Sequence, residues 1–215
     1  MFFLQNSALP LPMILVALLG GYLSGSVPYG LILSRLAGAG DIRNAGSGNI
    51  GATNVLRVVG KKVAAATLLL DALKGFVPVA VAGHFHPDYA ILAAIGAFMG
   101  HLFPVWLKFK GGKGVATALG ICFAFSWIVG ASVAAIWLLV AFASQYSSLS
   151  ALTAFGMAPL IALRVTGNVP ITGVLFFITI VIWIRHHQNI RRLLNNTESK
   201  INFGSKKSGD GGSPA

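Results

Sequence analysis

Two short segments of this chain combine glycine with cationic and hydroxyl side chains in a way that suits the handling of anions. The first, "RNAGSGNIGATNVLR" at residues 43–57, sets Gly46, Gly48 and Gly51 among Ser47, Asn49, Thr53 and Asn54, with Arg43 and Arg57 at its ends. Glycines admit backbone shapes and close approaches that a side chain blocks. Such a loop can wrap a phosphate with amides while an arginine grips it in a fork. The second, "KFKGGKGVAT" at 108–117, places Gly111, Gly112 and Gly114 around Lys113, directly before a helix expected from Val115. It is not a Walker A sequence. The reading is that its glycines free amides at a helix N-terminus, where unpaired N–H groups and the positive dipole end attract anions. A flexible connector and a basic anchor at the membrane edge are the plainer readings of the two segments.

Two more segments add groups with chemistry. In "RHHQNIRRL" (185–193), His186 and Asn189 lie three apart and share a face if the helix continues. "QYSSLS" (145–150) offers Ser147 and Ser148 at a helix break, where hydroxyls either meet a ligand or bond to backbone. Asp71 and Lys74 fall inside an apolar run, three apart, and can pair as a structural clamp or support a site. His101 reads as a hydrogen-bonded residue between helices, and Cys122, the single cysteine, as packing. The chain shows no Cys-based metal site and no carboxylate cluster, so neither metal nor cofactor is expected.

The elements that must hold these groups are membrane helices. Of 215 residues, 55% are hydrophobic and 10% charged, whereas soluble domains carry about 25% charged residues. Apolar runs occur near 11–36, 63–83, 89–107, 115–129, 131–145, 149–165 and 170–185. The expected fold is therefore an all-α integral membrane protein of about seven transmembrane helices, the first broken at Pro28 in "SGSVPYG". No Lys or Arg precedes the first run, so it reads as a retained span and not a signal peptide.

With the N-terminus outside (periplasmic) and the C-terminus cytoplasmic, fourteen of the sixteen basic residues fall on inner segments, leaving Lys74 within a span and Arg164 outside. An even number of spans would put the basic C-terminal segment opposite the two basic loops, so an odd number is expected, seven first and five as the alternative. The four segments singled out above then all face the cytoplasm. Residues 1–203 read as one transmembrane domain and 204–215, "GSKKSGDGGSPA", as a disordered tail. The net charge of +11 suits inner loops, anionic lipid and phosphorylated substrates, not nucleic acid.

The segments "GSGNIGATNVLR", "FKGGKGVAT", "YSSL" and "RHHQNIRRLL" followed by "TE", in that order and between apolar spans, closely resemble the bacterial PlsY family. Its members are membrane acyl-phosphate:glycerol 3-phosphate acyltransferases, and the resemblance covers about residues 20–200. It implies transfer of a fatty acyl group from acyl phosphate to the 1-position of glycerol 3-phosphate. The products are lysophosphatidic acid and inorganic phosphate, and the setting is the inner membrane, with the site facing the cytoplasm. Ser47, Arg57, Lys113, His186 and Asn189 match the family's chemistry-bearing positions. Gly46, Gly48, Asn49, Thr53, Asn54, Gly111, Gly112, Gly114 and Ser148 match its substrate-binding segments. Asp71, Lys74 and Glu198 are taken as structural support. The implied partners are the two substrates, membrane lipids and an upstream enzyme that makes acyl phosphate. Many relatives carry Arg where this chain has His187, and spacing to Asn189 favours His186 as the working imidazole.

The acyl phosphate is already a mixed anhydride, so the residues need only hold two anions, align a hydroxyl and remove its proton. Direct attack without an acyl-enzyme is expected, with His186 or the donor's own phosphate as base. His84 and Asp88 have three residues between them, not the four of a His-x4-Asp acyltransferase pair, and fall on the outer side. A transporter or flippase for an anionic solute predicts polar groups at mid-membrane and on both faces. A CDP-alcohol phosphotransferase needs metal-binding aspartates that this chain lacks.

Overall fold

The computed structural model describes residues 9–201, so the tail expected at 204–215 lies outside the described residues. Those residues form ten α-helices and two short 3-10 turns. α1 (Leu11–Ser26) stops at Val27–Pro28, and α2 (Tyr29–Leu36) resumes beyond it, as the proline predicts. A polar loop with the 3-10 turn Ile42–Asn44 leads to the short α3 (Ala52–Val58). The long helices α4 (Lys61–Phe85) and α5 (Pro87–Leu102) follow. After the second glycine loop come α6 (Val115–Phe125), α7 (Trp127–Ser144), α8 (Ser147–Thr166), α9 (Val169–Arg185) and α10 (His187–Leu194).

Each of the seven apolar runs holds a helix, but the lengths differ from expectation. Five helical segments are long and apolar enough to cross a bilayer, and a sixth is counted if α9 and α10, bent by 59°, form one span. The run expected at 115–129 is cut short because Ser126 is extended (φ −163°, ψ 128°), ending α6 after 11 residues. Such a helix rises only about 16 Å, roughly half a hydrocarbon core.

In lipid, apolar contact alone gives helices little reason to associate, so close backbone approach matters. Gly21 and Gly25 of α1 face Ala93 and Ala97 of α5, while Gly96 and Gly100 of α5 face the Leu18–Ser26 backbone. A Cβ at Gly25 would lie 2.0 Å from the Ala97 carbonyl oxygen. Between α4 and α6, Gly75 abuts Thr117 and Gly120 abuts Ala72 in the same manner. The core then fills with Phe98, Leu102, Ile121, Cys122, Phe155, Ile178 and Ile182, so the cysteine packs as expected.

Asp71 and Lys74 pair at 2.6 Å, both buried. Lys74 Nζ also donates to the Val27 carbonyl at 2.7 Å, which ties α4 to the break between α1 and α2. This is the clamp arrangement. His101 accepts or donates at Nδ1 with Thr117 Oγ1, 3.1 Å away, joining α5 to α6.

Candidate active site

The first glycine loop is folded by Asn54. Its buried side chain accepts from the Ser47 amide at 2.8 Å and donates to the carbonyls of Ile42 and Ala45, both at 3.1 Å. Gly46 and Gly48 take φ of +60° and +69°, a region that strains other residues, and a Cβ at Gly46 would lie 2.3 Å from Asn54 Oδ1. Asn54 therefore acts as the loop's internal brace, a different task from the substrate contact expected of it. Arg43 is similarly engaged: it donates from Nε and Nη2 to Asp41, whose carboxyl these bonds hold well below the usual range. That leaves Arg57, one turn after Thr53 on α3, as the free-facing arginine of the segment; its Nη2 donates to the Ser199 carbonyl at 3.0 Å.

The second loop departs from expectation at the glycines. The Gly111 amide donates to Leu102 O at 3.0 Å and the Gly112 amide to His101 O at 3.2 Å, so neither is free for a phosphate. What these positions require is space: a Cβ at Gly111 would sit 2.1 Å from His101 O, and one at Gly112 would sit 2.3 Å from His101 Nε2. Gly114, at φ +86°, turns the chain into α6, whose N-terminus has no side-chain cap. Gly114, Val115 and Ala116 border a cavity there. Of the three glycines expected to free their amides, only Gly114 borders this cavity, at the uncapped start of α6.

His186, between α9 and α10, is buried, with Nδ1 2.8 Å from the Ile182 carbonyl. A carbonyl only accepts, so Nδ1 carries the hydrogen and Nε2 of the neutral ring is left with its lone pair. His187 is exposed and bonded to Ile184 O. Beyond the bend, Asn189 accepts from Lys113 Nζ at 2.5 Å and donates to Glu198 Oε1 at 2.6 Å. Ser148 Oγ donates to the same oxygen at 2.7 Å, and Arg192 Nε pairs with Oε2 at 2.6 Å. Burial alone would raise the Glu198 carboxyl, but these three bonds outweigh it and hold it below the ordinary glutamate value. Burial also pulls the Lys113 ammonium down to about 8, with Glu198 opposing and Arg192, Arg57 and Arg185 adding to the fall.

These groups surround one cavity of about 920 Å³. On its wall stand Ser47, Asn49, Thr53, Arg57, Lys113, Ser148, His186, Asn189, Arg192 and Glu198. Within the helices it is lined by Leu68 of α4, Leu119 of α6, Val133, Ala134, Trp137 and Leu138 of α7 and Phe155 of α8, with the polar Asp71 of α4 and His101 of α5 beside them. The α7–α8 break, where Gln145 adopts φ +63°, opens the wall at Ser147 and Ser148. Ser147 Oγ bonds to Thr53 Oγ1 at 2.9 Å, fastening α3 to α8. The C-terminal segment closes over the polar end, with Ile201 N donating to Gln145 O at 2.7 Å.

Of the residues expected from sequence, the structure brings Gly46, Ser47, Asn49, Thr53, Asn54, Arg57, Asp71, Lys113, Gly114, Ser148, His186, Asn189 and Glu198 to this wall. Gly48, Lys74, Gly111 and Gly112 are not on it. Sequence reading missed Arg192, although it follows Asn189 by three residues, the spacing that singled out Asn189 itself. It also missed Ser147 as a link and Arg185. Among the described residues no group of three or more His, Cys, Asp or Glu could hold a metal.

A polar, cationic head joined to an apolar slot suits an amphiphile carrying an anionic group. The family model described as glycerol-3-phosphate acyltransferase matches residues 15–196. The chain is 56% identical over 189 residues to the glycerol-3-phosphate acyltransferase of Brucella canis, covering 88% of this chain and 94% of that one. It is 57% identical over 189 residues to that of Mesorhizobium japonicum, covering 87% and 96%. The crystal structure of PlsY (YgiH), an integral membrane glycerol 3-phosphate acyltransferase, in its glycerol 3-phosphate form superposes with a TM-score of 0.84 at 38% identity. It covers 88% of this chain and 96% of that chain. The lysophosphatidic acid form gives 0.82 at 36% identity, covering 87% and 94%. Family match, sequence identity over almost the whole length and shared fold agree: this chain is a member of the glycerol-3-phosphate acyltransferase family, of the PlsY kind.

Proposed function

We propose that this protein transfers a fatty acyl group from acyl phosphate to the 1-position hydroxyl of glycerol 3-phosphate, releasing lysophosphatidic acid and inorganic phosphate. The observation that carries the reading is the cavity itself, which brings cations and hydroxyls together with apolar side chains from α4, α6, α7 and α8. The two related PlsY structures, one a glycerol 3-phosphate form and one a lysophosphatidic acid form, support the acceptor and product. The phosphate of one substrate lies toward Arg57, Lys113 and the α6 N-terminus, and the acyl chain lies in the slot beside Trp137 and Ala134. Ser47, Asn49, Thr53 and Ser148 supply hydroxyl and amide contacts.

The hydroxyl oxygen attacks the acyl carbonyl carbon, a new C–O bond forms, and the anhydride C–O bond breaks with its electron pair leaving on phosphate. The hydroxyl proton passes either to an oxygen of the donor's phosphate or to Nε2 of His186. Direct attack is favoured because among the described residues neither Ser47 nor Ser148 is hydrogen-bonded to an imidazole, the usual activation of a serine nucleophile. Glu198 is fully engaged in holding Ser148, Asn189 and Arg192. A trapped acyl-serine would rule out this route. No cofactor is required.

The protein sits in a bacterial inner membrane as one functional domain, crossing about seven times with the N-terminus outside. The basic loops and the site face the cytoplasm, where an enzyme forming acyl phosphate supplies the donor. Purified protein given acyl phosphate and glycerol 3-phosphate should yield lysophosphatidate and phosphate in equal amounts. Lys113→Ala should remove most of that activity while leaving the fold intact. Full activity in that variant would take the second loop out of the reaction.

A further inference from the structure

Arg185 ends α9, one residue before His186, and none of the groups so far given a part in the reaction includes it. Its Nη2 donates to two successive carbonyls of the second loop, Gly112 O at 3.0 Å and Gly111 O at 3.2 Å. Its guanidinium carbon lies 5.7 Å from the centre of the Phe103 ring. The amides of Gly111 and Gly112 are held from the other side by the carbonyls at the end of α5. The peptide unit between Gly111 and Gly112 is thus gripped on both edges, and the absent Cβ atoms allow the end of α5 to close on the two glycines.

The consequence reaches the cavity. Lys113 follows directly, and its ammonium meets Asn189, which stands on the helix just beyond Arg185 and His186. We propose that Arg185 is a positioning residue for the acyl transfer: by clasping the Gly111 and Gly112 carbonyls it registers Lys113 against His186 and Asn189. Without that clasp two part-buried carbonyls lose their donor, and only the α5 bonds to the Gly111 and Gly112 amides and the Lys113–Asn189 contact remain to hold the lysine in place. A delocalised, weakly hydrated guanidinium suits this half-buried place better than an ammonium.

The inference rests on the proposed role of Lys113, and the test keeps the two apart. Arg185→Met removes the donors and the charge; Arg185→Lys keeps a charge and a donor on a shorter stem. In the purified full-length protein, Arg185→Met should lower kcat/KM for glycerol 3-phosphate by about tenfold to a hundredfold, with Arg185→Lys recovering part of the loss. Hydrogen exchange should quicken at residues 110–114 in the Met variant.

A general loss of stability would not move the alkaline side of the pH profile, whereas loss of a nearby cation does, and only slightly here because Arg185 acts on Lys113 least of the charged groups. The charged groups acting on Lys113 are Glu198, Arg192, Arg57 and Arg185. Removing the Arg185 charge should shift the limb assigned to Lys113 to higher pH, and Arg185→Lys should leave it in place. Should Arg185→Met not fold, the Lys variant still decides: unchanged kcat/KM together with unchanged exchange at 110–114 overturns the inference. So do wild-type rates together with unchanged exchange at 110–114 in a folded Met variant. Full activity in Lys113→Ala would instead overturn the role of Lys113.

Discussion

Glu198 offers the sharpest test of how the site is held. One oxygen accepts from Ser148 Oγ and Asn189 Nδ2, the other from Arg192 Nε, at 2.7, 2.6 and 2.6 Å. Its side chain is only 6% exposed, so these bonds replace water almost entirely. Hydrogen bonds to a charged group contribute about 1.5–3 kcal/mol each. Three bonds on one carboxylate are not additive, and Arg192, at 40% side-chain exposure, can recover water. A net loss of about 3 kcal/mol is the reasonable sum, much of it expressed as freedom of Asn189 and hence of Lys113. Glu198→Ala should therefore reduce kcat/KM by about a hundredfold, taking 1.36 kcal/mol per decade. Glu198→Gln keeps an acceptor for Ser148 and Asn189 but turns an N–H toward Arg192, and should lose about tenfold. The assay is initial-rate release of phosphate from acyl phosphate with glycerol 3-phosphate varied, beside a thermal melt in the same detergent. The folded carboxyl titrates below its unfolded value, so its share of stability holds above the unfolded pKa and fades as pH falls through the folded one. The melts of wild type and Glu198→Ala should draw together in acid, starting below the unfolded glutamate value of about 4.3. Wild-type kcat/KM in Glu198→Ala would refute the bracing role outright.

Three further outcomes follow from other parts of the structure. Lys113 titrates at about 8, and its charged form exists below that pH; kcat/KM for glycerol 3-phosphate should fall as pH rises through about 8, and Lys113→Arg should abolish that limb. Because the phosphate group completes its second ionisation near pH 6, the substrate does not titrate in this window. Ala134 borders the apolar slot, so Ala134→Phe should shift preference toward shorter acyl phosphates, read as kcat/KM across a chain-length series; an unchanged series would put the acyl chain elsewhere. Gly25→Leu drives a side chain into the Ala97 backbone across the α1–α5 seam, and should cost about 1–3 kcal/mol in a detergent melt; an unchanged melt would deny the close approach.

Composition and hydropathy made the helical membrane fold legible, because burying twenty apolar residues in lipid leaves few alternatives. The Pro28 break and the Asp71–Lys74 pair were readable for the same reason: a missing N–H and two uncompensated charges each demand a specific remedy. Helix ends were harder. α6 stops at Ser126 although the apolar run continues, because the backbone turns without any change in hydropathy. The family resemblance put Ser47, Arg57, Lys113, His186 and Asn189 at one site, yet neither it nor the residue types could say which polar groups would be spent on the protein's own loops. Asn54 and the Gly111 and Gly112 amides look like ligand contacts in a string of letters, and only the fold reveals that other backbone atoms already occupy them.

That division has a physical cause which also explains why the glycines surround so few charges. A loop that must keep one ammonium at the rim of a lipid-facing cavity cannot rely on water to solvate its peptide groups, so each buried amide and carbonyl needs a partner within the fold. The second loop satisfies its amides on α5 and its carbonyls on Arg185, and the first satisfies its own through Asn54. Once those demands are met, what the two glycine segments still contribute to the cavity wall is the uncapped end of α6, Lys113, Arg57, Asn49 and the hydroxyls of Ser47 and Thr53. Glycine density in such a segment therefore measures how tightly neighbouring helices close on the backbone, and counts poorly as a measure of amides offered to a ligand.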